Sequence, residues 1–317
     1  MNELAPVFTA VLPVFLIIAI GVVLRRINWL TEEADESLIK ITVNVLTPCL
    51  ILDSILGNKA LKELGNVFVP PVVGFGCVAL GMTIAYLIAP LAGLKDLRTR
   101  RTFALCAGLQ NYGYVPIPLV DALFDPQTRG VLLVHNVGVD AAMWVLGLAL
   151  LAGATGGKAW RHLINAPVIA IILGLLINFF HVYEFLPKFL LQTFRVLGQC
   201  VIPIGVLIVG ATTADQMRGM QVRSGGRVMA FACLVRLALV PLVFLVVARM
   251  LPCSDELKRV LVVQAAMPAG MFPIVMARHY GGDSNTAVRI VLATSVVSFL
   301  TIPFVIRAGL AFVLEGR

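Results

Sequence analysis

The sequence predicts an all-α integral membrane protein: ten transmembrane helices as two inverted five-helix repeats, with helices 4 and 9 broken. Three observations predict it. The 317 residues are 59% apolar and only 13% charged, with mean hydropathy +0.95. A soluble domain carries about a quarter charged residues. Ten apolar segments reach the roughly 17–25 residues that a helix needs to cross a bilayer. Two of these segments are interrupted at matching places, and Pro118 and Pro273 stand 155 positions apart.

The segments are placed at 6–25, 37–57, 66–90, 102–124, 130–152, 164–181, 187–212, 227–250, 257–278 and 286–312. The first lacks a basic leading region, since Glu3 is the only charge before the apolar run, and Arg25-Arg26 follows it without a small-residue cleavage site. It therefore reads as an uncleaved span rather than a signal peptide. In the second, Asn44, a candidate substrate contact, lies four residues before Pro48; in the seventh, Gln199 lies four residues before Pro203, an offset of 155. Pro13 and Pro167, in the first and sixth, are 154 apart. Five spans per repeat is an odd number, so the second half runs opposite to the first across the membrane. The repeats are residues 1–155 and 156–317.

The fourth segment is broken by Asn111-Tyr-Gly113-Tyr-Val-Pro116-Ile-Pro118, and the ninth by Met267-Pro268-Ala-Gly270-Met-Phe-Pro273. Proline removes a backbone donor and clashes with the preceding turn. A freed backbone group in hydrocarbon costs several kcal/mol, so broken spans persist only where protein or a water-filled cavity satisfies them. Paired discontinuous helices point to a transporter binding site near the bilayer midplane. In the first break Gln110, Asn111 and Tyr112 bring polar side chains beside unwound backbone. The second brings mainly backbone at Pro268 and Gly270, with Gln264 just before it. Half-helix N-termini add positive partial charge, which suits a carboxylate.

Charges inside spans are functional candidates by default. Asp53 and Asp121 lie late in their spans, near an interface. Asp140 is deeper in the fifth, with His135 and Asn136 about a turn earlier. Arg236 is near the middle of the eighth and Arg289 near the start of the tenth. Asp140 is read as a coupling or substrate-contact group and Arg236 as a coupling charge or a partner for a substrate carboxylate, or the two as a structural Asp140–Arg236 pair; His135 is read as an interior histidine.

Several function classes are excluded. Net charge +8 is no nucleic-acid footprint, because the basic residues sit in short loops between apolar runs. Loop Lys and Arg number 12 on one side, among them Arg25, Arg26, Lys158, Arg161 and Arg223, and nine on the other, among them Lys59, Lys62, Arg129 and Arg317. The positive-inside rule then puts both termini outside the cytoplasm. Five of the six cysteines lie inside apolar segments without metal-ligand spacing, so no disulfide framework, metal or cofactor is expected. There is no HExxH, GxSxG or P-loop pattern, and no enzyme is expected.

Over almost its whole length the chain resembles the auxin efflux carrier family, the PIN-type transporters and their bacterial relatives. The resemblance is carried by Asn44-Val-Leu-Thr-Pro48-Cys-Leu-Ile, by Asn111-Tyr-Gly-Tyr-Val-Pro-Ile-Pro118-Leu, and by Met267-Pro-Ala-Gly-Met-Phe-Pro-Ile-Val-Met-Ala-Arg-His-Tyr280-Gly-Gly-Asp283. Thr294-Ser-Val-Val-Ser298-Phe-Leu-Thr301-Ile-Pro303 adds to it. It implies broken helices 4 and 9 crossing at mid-membrane, a scaffold of helices 1, 2, 6 and 7 and a mobile transport domain of helices 3–5 and 8–10. Asn111 then takes the place of the family's crossover asparagine. Asp140 matches a substrate-facing position that is glutamine in plant carriers, and Ile51 faces substrate from the scaffold. Pro116, Tyr112 and Ala269 depart from the family pattern, which argues against the plant hormone as substrate.

The expectation is a secondary transporter of a small organic anion in a bacterial inner membrane, working by elevator-type alternating access. A homodimer is the assembly expected if copies associate. The alternative is a membrane sensor that binds ligand on the same fold without moving it.

Overall fold

In the computed structural model, residues 4–152, 164–218 and 225–315 are described. The chain there is helical, and backbone pairing outside helices is confined to one antiparallel bridge between Gln110 and Ala269. Seven helical stretches are long and apolar enough to cross a membrane, and Ala166–Phe179 is a shorter apolar helix. The basic loop residues Lys158, Arg161 and Arg223, like the expected repeat boundary at 155–156, lie outside the described residues.

The elements follow the apolar segments closely. Helix α1 is Leu4–Arg26. The second segment comprises α2 (Glu32–Ile41), a π-turn at Thr42–Leu46 and α3 (Thr47–Ile55). Pro48 explains the π-turn: its ring crowds the carbonyl four residues back, and the turn ahead of it widens. Next come α4 (Leu64–Ile88), the half-helices α5 (Leu97–Gly108) and α6 (Pro116–Leu123), and α7 (Pro126–Ala142). A second π-turn leads from α7 into α8 (Leu148–Ala152). Helix α9 is Ala166–Phe179, and the seventh segment is α10 (Lys188–Gln199) followed by α11 (Val201–Arg218).

The eighth segment repeats the device of the second. A π-turn at Val235–Leu239 joins α12 (Gly226–Leu234) to α13 (Val240–Met250), with Pro241 just beyond it. The ninth is α14 (Asp255–Ala266) and α15 (Phe272–His279), and α16 (Ser284–Leu310) closes the fold.

Six helix starts away from the breaks are capped by the sequence itself. Thr31, Asp96, Asp125, Asn165, Ser254 and Asp283 each accept a hydrogen bond from the backbone amide three residues on, which satisfies one orphan donor of each first turn. Close helix approach depends on glycine. A Cβ on Gly81 of α4 would lie 2.7 Å from the Gly108 carbonyl, so the end of α5 sits directly against α4.

Charges near the segment ends are paired. Arg129, at the start of α7, bridges Asp53 of α3 and Asp121 of α6, each at 3.2 Å, and Arg195 of α10 reaches Asp53 at 3.5 Å. The expectation that Asp53 and Asp121 reach an interface is thus refined: they share one guanidinium. At the other end Arg25 holds Asp35 and, at 3.1 Å, Asp215.

Candidate functional site at the crossing of two broken helices

The two interruptions meet. Asn111 N donates to Pro268 O at 2.8 Å, and Gly270 N donates to Leu109 O at 3.0 Å. These bonds form the antiparallel bridge between Gln110 and Ala269. Each broken segment therefore satisfies part of the other's freed backbone, which is what the hydrocarbon interior demands. The second break is also fixed from α16, where Thr294 Oγ1 accepts from Ala269 N at 3.2 Å.

Around the bridge lies a polar cluster. Asn136 of α7 donates from Nδ2 to Tyr112 O at 2.8 Å. Gln264 of α14 donates from Nε2 to the same carbonyl at 3.3 Å and to Asn136 Oδ1 at 3.2 Å. The Tyr112 hydroxyl donates to Asp140 Oδ1 at 2.5 Å. The next aromatic, Tyr114, packs its ring on Gly205 of α11, where a Cβ would meet it. Trp144 meets Phe272 edge-on, with centroids 5.4 Å apart.

Several groups at the crossing stay open. Gln110 is fully buried, and neither Oε1 nor Nε2 has a hydrogen-bond partner among the described residues. A buried amide in that condition carries a desolvation cost of about 1–3 kcal/mol per group, and such a group calls for an explanation. The Asn111 side chain is half-buried and makes no hydrogen bond within the described residues. The amides of Tyr112, Gly113, Tyr114 and Met271 likewise donate to no described group. Helices α6 and α15 begin here without a side-chain cap. Pro116, Pro118 and Pro273 need none, because proline has no N–H to satisfy in a first turn.

The expected site residues separate into two groups. Gln110, Asn111, Tyr112, Gly113, Gln264, Pro268 and Gly270 come together at the crossing, and Asp140 joins them through Tyr112. Asn44 and Ile51 do not join this cluster. Asn44 is exposed and turns its amide back onto Lys40 O at 2.9 Å. It satisfies the wall of its own π-turn. Ile51 is 2% exposed and packed in the hydrophobic core.

The Asp140–Arg236 alternative is corrected. Arg236 is fully buried, and its guanidinium donates to backbone: Nε to Met267 O at 3.1 Å, Nη2 to Gln264 O and Ala265 O at 3.4 Å, and Nη1 to Gly108 O at 3.5 Å. The broken helices leave C-terminal carbonyls short of donors, and four carbonyls at these ends claim the fork instead of one carboxylate, Gln264 O accepting also from Met267 N at 3.3 Å. His135 is fully buried, with Nδ1 3.5 Å from Asn136 Oδ1 and Nε2 unpartnered among the described residues.

Residue-level reading of the sequence missed Asn136 as the hub, Tyr114 as the contact to α11 and Thr294 as the support from α16. Asn136 carried a signal, since it is an amide in an apolar span one turn from Asp140.

A model of the membrane transport protein family matches residues 6–159 and 154–306. The chain belongs to this family, that of the auxin efflux carriers. An uncharacterized transporter of Methanothermobacter thermautotrophicus is 25% identical over 298 residues, spanning 92% of this chain and 95% of the relative. An uncharacterized transporter of Methanocaldococcus jannaschii is 23% identical over 300 residues, with 92% and 95% covered. Auxin efflux carrier component 3 of Arabidopsis thaliana is 32% identical over 126 residues, which is 38% of this chain and 19% of the plant protein. The protein is thus a multi-pass member of a membrane transporter family rather than of an enzyme family. Its apolar helices agree with that membership.

Proposed function

We propose that this family member is a secondary transporter of a small organic anion, and that the crossing is its substrate site. The observation that carries the reading is the antiparallel meeting of two helix breaks that leaves the side chains of Gln110 and Asn111 and nearby backbone N–H groups without partners among the described residues. Unpaired donors beside two half-helix N-termini suit a carboxylate. In this reading Asn111 holds the carboxylate, and the backbone at Pro268 and Gly270 lines the opposite wall.

The same reading takes the chain as ten spans in two inverted repeats. Helices 1, 2, 6 and 7 form a scaffold, and helices 3–5 and 8–10 move as a unit past it in an elevator-type cycle. Tyr114 on Gly205 and Arg129 between Asp53 and Asp121 are then contacts between the two parts. The protein resides in a bacterial inner membrane with both termini extracytoplasmic.

The test is ligand-induced thermal stabilisation of purified protein across mono- and dicarboxylates. Ligand at a hundred times its Kd stabilises the folded state by about 2.7 kcal/mol. At least one carboxylate is expected to raise the unfolding midpoint of the wild type, and Asn111→Ala to lose that response while keeping the unliganded midpoint. A full response from Asn111→Ala would remove the residue from the site.

A further inference from the structure

Arg236 acts on both broken helices at once. It stands on the π-turn Val235–Leu239, fully buried, with its guanidinium 5.5 Å from the centre of the Phe244 ring. Its acceptors are Gly108 O, at the last residue of α5, and Gln264 O, Ala265 O and Met267 O, at the end of α14. Among the described residues no carboxylate forms an ion pair with it. Among the described residues this buried cation is therefore balanced by backbone carbonyls and the face of the Phe244 ring.

The four half-helix ends and this one charge fix the electrostatics of the crossing. Each C-terminal helix end carries about −0.5 elementary charge and each N-terminal end about +0.5. Arg236 offsets the two negative ends of α5 and α14. The positive ends of α6, at Pro116, and α15, at Phe272, are left uncancelled and sum to about +1. Asp140 is the acidic group in the neighbourhood, and it opposes this field.

We propose that Arg236 sets the charge selectivity of the crossing. By neutralising the carbonyl ends of α5 and α14, it leaves a field that selects an anionic group over its neutral isostere without touching the ligand. This rests on the substrate-site reading above and names what enforces the anion. Arg236 is thus a positioning and field-setting residue.

The experiment compares affinities for succinate, malonate and acetate with those for succinamide, malonamide and acetamide, measured by thermal shift and calorimetry on purified full-length protein. The wild type is expected to prefer at least one acid over its amide by about tenfold or more. Arg236→Lys, which keeps the charge and loses the fork, is expected to keep that ratio within about threefold. Arg236→Met is expected to bring it close to parity, and Asp140→Asn to raise it. A folded Arg236→Met that keeps the wild-type ratio overturns the proposal. So does a folded Arg236→Lys that loses it, because geometry rather than charge would then be selecting. If the Arg236 variants do not fold, an unchanged ratio in Asp140→Asn overturns it. A wild type that binds no acid overturns the substrate-site reading itself, and this inference falls with it.

Discussion

Gly138→Val is expected to abolish correct assembly, giving little monodisperse protein in detergent. Helix α7 lies against α4 with Gly138 on the Pro71 backbone: a Cβ there would fall 2.8 Å from Pro71 Cα and closer still to its carbonyl. The obstacle is backbone, so no rotamer change relieves it. Overpacking commonly costs about 1–3 kcal/mol, and more where nothing can yield. Here the expected cost is at or above the top of that range, against total stabilities of about 5–15 kcal/mol. Gly138→Ala already introduces the Cβ and should show a lowered unfolding midpoint. Size-exclusion yield and thermal unfolding check both variants, and a valine variant as stable as the wild type would mean that α4 and α7 are not this close.

Asn136→Leu is expected to destabilise the protein by about 2–3 kcal/mol and to remove the carboxylate response. Leucine keeps the number of side-chain heavy atoms but is bulkier, so some overpacking joins the loss of hydrogen bonding. Asn136 donates to Tyr112 O and accepts from Gln264 Nε2. Leucine withdraws the shorter donor from a carbonyl in the broken segment and removes an acceptor from a buried glutamine. Unsatisfied buried groups cost about 1–3 kcal/mol each. Gln264→Leu should share part of the penalty, because both side chains meet at Tyr112 O. A double-mutant cycle should therefore give a coupling of at least about 0.5 kcal/mol. Simple additivity would show that the two amides do not act as one network.

Much of this molecule is legible in its sequence because hydrocarbon imposes strict rules. Apolar length alone places the helical segments to within a few residues at most ends. The larger differences, such as α2 beginning at Glu32 and α5 at Leu97, arise where polar first turns extend a helix beyond its apolar part. Proline and glycine density marks both interruptions. That the two interruptions bond to each other was not readable, since the Gln110–Ala269 bridge joins residues far apart in the chain.

The pairing of Arg236 with Asp140 failed for a related reason. Pairing charges by sign assumed that a buried cation seeks a carboxylate. Two broken helices supply a denser set of acceptors in their own terminal carbonyls, and Arg236 takes those. Asn44 misled in the opposite direction. Its repeat with Gln199 around the two prolines is real in the sequence, yet its amide serves Lys40 O beside a widened turn. A repeated polar residue marks a repeated backbone problem as readily as a ligand contact.

The measurement that tests the central claim most directly is uptake of radiolabelled carboxylates into proteoliposomes. Wild-type vesicles are expected to accumulate label above protein-free vesicles by counterflow against the same unlabelled acid. Asn111→Ala vesicles, matched for inserted folded protein, are expected to fall to the protein-free level. Binding without any flux in the wild type, or full flux in Asn111→Ala, would contradict the account.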